Sequence, residues 1–281
     1  MTTTFKTWFG SIKSLVKDIR ALAIFAVLYA LLLVTFYIFI ATREATVWQV
    51  VITYSFLVLL PAEFFVLQAS IIQRAELKRF AWGQIARDAL RFAVVTIPVI
   101  LIGWGIWVLL NKWQAHYPAP RPTFALTSNP RQLQSLHWPT LLFSTLRYLI
   151  FGVLLPLITI HLWIAVARQG LKSLTAGGAK AIGQRIGHAF VRAVDADSVL
   201  IYLLGLIIFG AAPYFILRTT ISAKGTKTDF AILIVQLLLA YVVTLIGWVV
   251  TVSTLAKMSA KASPAPAAPA AEAQSSLEAA A

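Results

Sequence analysis

Six long apolar runs, at about 21–41, 47–72, 92–111, 139–166, 198–217 and 230–255, divide this chain, with shorter polar stretches between them. Each is near or above the ~20 apolar residues with which a helix crosses the hydrocarbon core of a bilayer. Only helices and closed barrels satisfy their backbone in lipid, and these runs are continuous where barrel strands alternate, so they predict helices. The expected fold is therefore all-α: a polytopic integral membrane protein with six transmembrane helices. Residues 1–20 read as a cytoplasmic amphipathic segment, 21–256 as the six-span domain, and 257–281 as a disordered tail rich in alanine, proline and serine.

Lys6, Lys13, Lys17 and Arg20 precede the first run as basic residues precede a signal peptide. The run is longer than a signal core, however, and its exit, IFIATRE, lacks the small-x-small pair of a cleavage site, so the span reads as retained. Trp48, Trp113 and Trp138 near the outer ends, with Trp8, Trp82 and Trp163 near the inner ends, fit interfacial belts.

A second pattern lies between the spans. Residues 82–94, WGQIARDALRFAV, and 182–194, IGQRIGHAFVRAV, share Gly-Gln, Ala89 with Ala189, and Ala93-Val94 with Ala193-Val194. On a helix, Ile182, Ile186, Ala189, Phe190 and Ala193 share one face, and Ala81, Ile85, Ala89 and Phe92 another, opposite arginines in both cases. Both segments predict amphipathic helices lying in the headgroup plane, and residues 9–20 are a weaker third copy. The chain then reads as a parallel repeat of interfacial helix, outward span and inward span.

Composition supports this picture. Of 281 residues, 59 % are hydrophobic and 12 % charged, where soluble domains carry about a quarter charged; mean hydropathy is +0.82. The net charge of +14 does not point to nucleic acid, because the basic residues sit between apolar spans and not on a soluble face. There they act as topology signals. With the N-terminus cytoplasmic, inside segments carry sixteen lysines and arginines and outside segments seven, with Arg147 inside a span. That asymmetry predicts both termini on the cytoplasmic side of a bacterial inner membrane. The absence of cysteine excludes disulfides and thiol catalysis.

Few residues inside the spans offer chemistry. Glu63 is a carboxylate within an apolar run, two residues after Pro61, and a charge in that position faces a protein neighbour, a cavity or a polar pathway. Two roles stay open for it: a proton- or cation-linked site, and a structural carboxyl hydrogen-bonded to the next helix. Arg147, lying ~13 Å below Trp138, is its natural counterpart, and it also has the reach to snorkel to the interface. His161 near the inner end of the fourth span reads first as a structural histidine. Pro61, Pro98, Pro156 and Pro213 mark expected helix kinks. Gly103, Gly105, Gly205 and Gly210 read as packing positions. The four histidines have no metal-ligand spacing, and neither a phosphate loop nor a nucleophile elbow is present.

The function expected from these features is non-catalytic, acting through lipid or partner contacts in an accessory, scaffold or assembly role. Arg87, Arg91, Arg185 and Arg192 are the expected contacts to anionic lipid or to a protein partner. No cofactor, metal or nucleic acid is expected. The alternative is a small-molecule or ion transporter or channel with Glu63 and Arg147 as its intramembrane site.

Overall fold

The computed structural model describes residues 2–42, 46–118, 137–175, 187–219 and 225–262. These are helical apart from short turns and caps, with no strand among them. In chain order the elements are α1 (Thr2–Lys17), α2 (Ile19–Ala41), α3 (Val47–Leu77), α4 (Trp82–Gln114), α5 (Trp138–Arg147), a π-helical segment π1 (Tyr148–Leu154) and α6 (Leu155–Thr175). After α7 (187–194) come α8 (Ala196–Leu206), a second π-helical segment π2 (Ile207–Ala211), α9 (Ala212–Arg218) and α10 (Thr226–Ala262). Six helical stretches are long and apolar enough to span a membrane: α2, α3, α4, Trp138–Gly170, Ala196–Arg218, and Lys227–Ala260 within α10. The chain is a multi-pass membrane protein.

Burial is concentrated at one end of the helices and sparse at the other. Phe25 early in α2, Ile72 late in α3, Ile85 and Phe92 early in α4, Leu157 and Val166 in α6, and Leu255 late in α10 are all buried. These positions share the end where α1 lies and where α10 finishes. At the other end Ile40, Trp48, Leu109, Leu142 and Phe215 are exposed. In water such a surface would drive association, whereas lipid tails are as apolar as leucine and leave it without penalty.

With no hydrophobic force between helices in lipid, close approach supplies the cohesion. Gly205 of α8 faces Thr251 of α10, and a Cβ there would lie 2.8 Å from Thr251 Cγ2. Gly247 of α10 returns the arrangement, its Cβ position 2.8 Å from Ile208 Cγ2 and 3.0 Å from the Phe209 nitrogen. Gly103 sits against Leu155 and Phe151. Gly105 meets nothing within 4 Å, so its expected packing role is not realised.

The segments between spans differ from one another. Asp18 separates α1 from α2: its carboxylate accepts from the Ala21 nitrogen at 3.1 Å and is ion-paired with Arg74 of α3, which anchors the corner. Asp195 turns the chain between α7 and α8 with an extended ψ of 130°. Residues 82–94, expected to lie in the headgroup plane, instead form the first turns of α4, continuous with the third span. Its one aspartate, Asp88, is buried and paired with Arg91, so it does not compete for backbone groups, and Ile85, Ala89 and Phe92 are buried in the bundle. In α7 the alanines Ala189 and Ala193 are buried while Phe190, placed on the same face by the sequence pattern, is exposed. Residues 182–186 of the sequence pattern, with Arg185, lie outside the described residues. At the chain's other end, α10 continues past 256 to Ala262, and Ser259 is buried, so the ordered helix extends beyond the expected span boundary.

The four prolines fall into two classes. Pro61 and Pro98 lie within α3 and α4, which continue as α-helix through them. Pro156 and Pro213 each follow a π-helical segment by two residues. A proline ring clashes with the carbonyl four residues back; for Pro156 that residue is Gly152, and for Pro213 it is Phe209, next to Gly210. Glycine there lets the turn widen to the i→i+5 pattern and move the carbonyl away. No glycine precedes Pro61 or Pro98 at that distance.

The glycine contacts generate a stability prediction. Gly205→Ala drives a methyl into Thr251 and lowers unfolding stability by ~1–3 kcal/mol, whereas Gly105→Ala is neutral or stabilising because it improves helix propensity in open space. Unfolding midpoints in mixed detergent micelles measure both.

Candidate functional site

Glu63 projects from α3 toward α2, where Thr35 Oγ1 donates to its Oε1 at 3.0 Å. Thr35 is itself buried, and the Glu63 Oε2 atom is buried without a hydrogen-bond partner. A carboxyl half-satisfied in this way is costly in an apolar setting, where each unpaired polar group forfeits its hydration. Arg147 lies elsewhere. It ends α5, donates from Nη2 to Asn111 Oδ1 at 2.6 Å, and holds its guanidinium 4.9 Å from the Trp107 ring centroid. Its Nε is buried and unpartnered. The two charges thus bind different neighbours and form no ion pair with each other, so the joint Glu63 and Arg147 site expected for a transporter is not assembled.

His161 is buried at the packed end, its Nδ1 3.4 Å from Ser259 Oγ of α10, with Nε2 buried and unpartnered. It forms part of the wall of a cavity of about 880 Å³ that also meets Arg192, Asp195, Asp197 and Ser198. A second cavity at this end, about 780 Å³, is bounded by Lys6, Glu76, Arg168 and Lys257. Among the described residues no three histidine, aspartate or glutamate side chains gather closely enough to hold a metal.

Around the second cavity the charges are organised in a way the sequence pattern did not reveal. Arg168 donates from Nε to Glu76 Oε1 at 2.5 Å and from Nη2 to the Ala256 carbonyl at 2.6 Å. It thereby ties α6 to the ends of α3 and α10. Lys257 donates to Ser11 of α1 at 3.1 Å, and Arg74 pairs with Asp18. Counted only as topology signals, Lys257 and Arg74 instead join α1 and the α1–α2 corner to the bundle. The signal available was scarcity: Asp18 and Glu76 are two of only ten acids in the chain, both at ends of apolar runs.

Of the expected lipid contacts, Arg87 is exposed and returns Nε to its own helix at the Gly83 carbonyl, 3.1 Å away. Arg91 pairs at 2.9 Å with Asp88, whose side chain is buried. Arg192 is exposed. Trp48, Trp113, Trp138 and Trp82 are exposed, as belt residues would be, but Trp163 is buried. Its indole donates to Thr96 Oγ1 at 2.9 Å and its ring stacks on Phe92 with centroids 5.7 Å apart, an interior anchor and not an interfacial one.

The polar contacts in the spans are interhelical as well as local. Trp248 Nε1 donates to Gln68 Oε1 at 3.0 Å, Gln236 Nε2 to the Thr219 carbonyl at 2.7 Å, and Tyr241 to the Ala26 carbonyl. Thr159 returns to the Leu155 carbonyl of its own helix at 2.7 Å.

Thr35→Val strips Glu63 of its one hydrogen bond and costs ~1–3 kcal/mol, while adding Glu63→Leu restores most of that loss because both polar partners are then gone. A double-mutant cycle on detergent unfolding reads this coupling, which a carboxyl independent of Thr35 would not produce. No protein-family model, curated protein or solved structure matches this chain.

Proposed function

We propose that this protein is a non-catalytic component of a bacterial inner membrane, with both termini cytoplasmic, whose packed end holds anionic lipid headgroups and a membrane partner. The observation that carries this reading is the juxtaposition of exposed apolar and exposed basic side chains on the helices flanking that end. On α1, Phe5, Phe9 and Val16 are exposed on the same element as Lys13 and Lys17, also exposed. On α7, Phe190, Val191 and Val194 are exposed around Arg192. Such a surface buries its apolar residues at the acyl boundary and presents its cations to phosphates. Each cation near an anionic leaflet is worth ~1 kcal/mol.

A second reading, ion or small-molecule transport, is favoured by the unpartnered Oε2 of Glu63 and by the π-helical segments, which recur where helices serve a function. Arg147 has no part in that version. Glu63→Gln separates the two: lost substrate flux at unchanged membrane abundance supports transport, and unchanged flux in vesicles removes it.

For the preferred reading, Lys13→Gln, Lys17→Gln, Arg87→Gln and Arg192→Gln combined lower binding of the purified protein to phosphatidylglycerol nanodiscs severalfold and leave phosphatidylcholine binding unchanged. Arg91 is left intact because its loss would strand buried Asp88. Equal phosphatidylglycerol binding by wild type and variant, together with an unaltered set of co-purifying proteins, contradicts the proposal.

A further inference from the structure

Along α4, the residues Thr96, Gly103, Trp104 and Trp107 face Phe151 of π1 and Trp163 of α6 across a groove of about 510 Å³. Trp104 is 67 % exposed and Trp107 45 %, so the groove opens outward at a depth where the surroundings are lipid. Its inner end is closed by the hydrogen bond from Trp163 to Thr96. At its other end Trp107 packs edge-on against Phe151, with centroids 5.6 Å apart, and carries the Arg147 guanidinium on its face. From Thr96 to Asn111 the groove wall is fifteen helical residues, ~22 Å long.

Acyl chains cover every outward apolar face of a membrane protein, so the groove alone selects nothing. What singles it out is the cation at its mouth. The bond to Asn111 uses one of the five N–H donors of Arg147, and among the described residues no carboxylate is paired with it. The sequence supplies none nearby along the chain: residues 89–194, from early α4 to the end of α7, contain no aspartate or glutamate. A guanidinium partly withdrawn from water without a counterion is unfavourable, and a phosphate accepts its planar fork of donors well. Asn111 accepts through Oδ1 and keeps its amide N–H groups for the same acceptor.

We infer that this groove is a binding site for one anionic glycerophospholipid of the leaflet at the sparsely buried end, its phosphate held by Arg147 and Asn111 and one acyl chain lying against Trp104 and Trp107. The inference rests on the six-span architecture and not on the lipid contacts proposed for the packed end, which lie at the opposite side of the membrane. Arginine supplies the charge and its direction. The tryptophans supply a rigid apolar wall that loses little entropy on contact with a chain.

Native mass spectrometry of the full-length, delipidated protein, titrated with phosphatidylglycerol or phosphatidylcholine in nonionic detergent, tests this. The wild type is expected to keep one phosphatidylglycerol per chain with at least tenfold preference over phosphatidylcholine. Arg147→Gln loses that preference, Arg147→Lys retains a weakened one, and Trp104→Ala weakens retention of both lipids while keeping the charge preference. The combined substitution of Lys13, Lys17, Arg87 and Arg192 keeps the single tight lipid, so failure of the packed-end proposal and failure of this one are distinguishable. Equal retention of the two lipids by the wild type overturns the inference, as does an undiminished phosphatidylglycerol preference in Arg147→Gln. If Arg147→Gln does not fold, full wild-type affinity in both Arg147→Lys and Trp104→Ala overturns it equally.

Discussion

The architecture depends on close contact between helices that have no hydrophobic reason to associate. In lipid, a helix leaves one apolar environment for another when it packs, so van der Waals fit and a small number of polar bonds must supply the cohesion. Here that fit is concentrated along α10. Gly247 and Gly205 bring α8 and π2 onto it, while Arg168 reaches its Ala256 carbonyl and Lys257 meets Ser11 of α1. Remove that post and α1, α3, α6 and α8 lose their shared neighbour at the packed end.

Two of the six spans depart from α-helical geometry, at π1 and π2, and they do so within packed contacts: Gly103 lies against Phe151 of π1 and Gly247 against Ile208 and Phe209 of π2. Both departures are answers to a proline with glycine at or beside the position it would strike. Glu63 and Arg147, which share the interior of the spans, are each held locally and only in part, by Thr35 and by Asn111 with Trp107, and each keeps one buried unpartnered atom. The molecule therefore holds its intramembrane charges apart, and any chemistry they perform is separate.

The six spans were legible in the sequence because length and continuous hydropathy are one-dimensional properties. Trp163 was misplaced for the same reason: its distance from a span end suggested an interfacial ring, whereas its neighbours Phe92 and Thr96 come from another helix and are invisible in the linear pattern. The helix at 82–94 has the amphipathicity of an interfacial element, and whether such a helix bends away or continues depends on a breaking residue. Asp18 and Asp195 supply breaks that its own junction lacks. The pairing of Arg168 with Glu76, 92 residues apart, carries no local signature at all. The candidate site was legible only as single residues: Glu63 stood out as a carboxylate within an apolar run, but its contact with Thr35, 28 residues away on another helix, has no mark in the linear pattern.

The central claim is that six spans place α1 and the end of α10 on one side of the membrane and the α4–α5 and α9–α10 connections on the other. Because the chain has no cysteine, single exposed cysteines report position cleanly. With an impermeant maleimide on sealed vesicles of uniform orientation, Lys13→Cys, Gly187→Cys and Ala260→Cys are predicted to react from one face and His116→Cys and Gly225→Cys from the opposite face. Labelling of Lys13→Cys and Ala260→Cys from different faces would contradict the account.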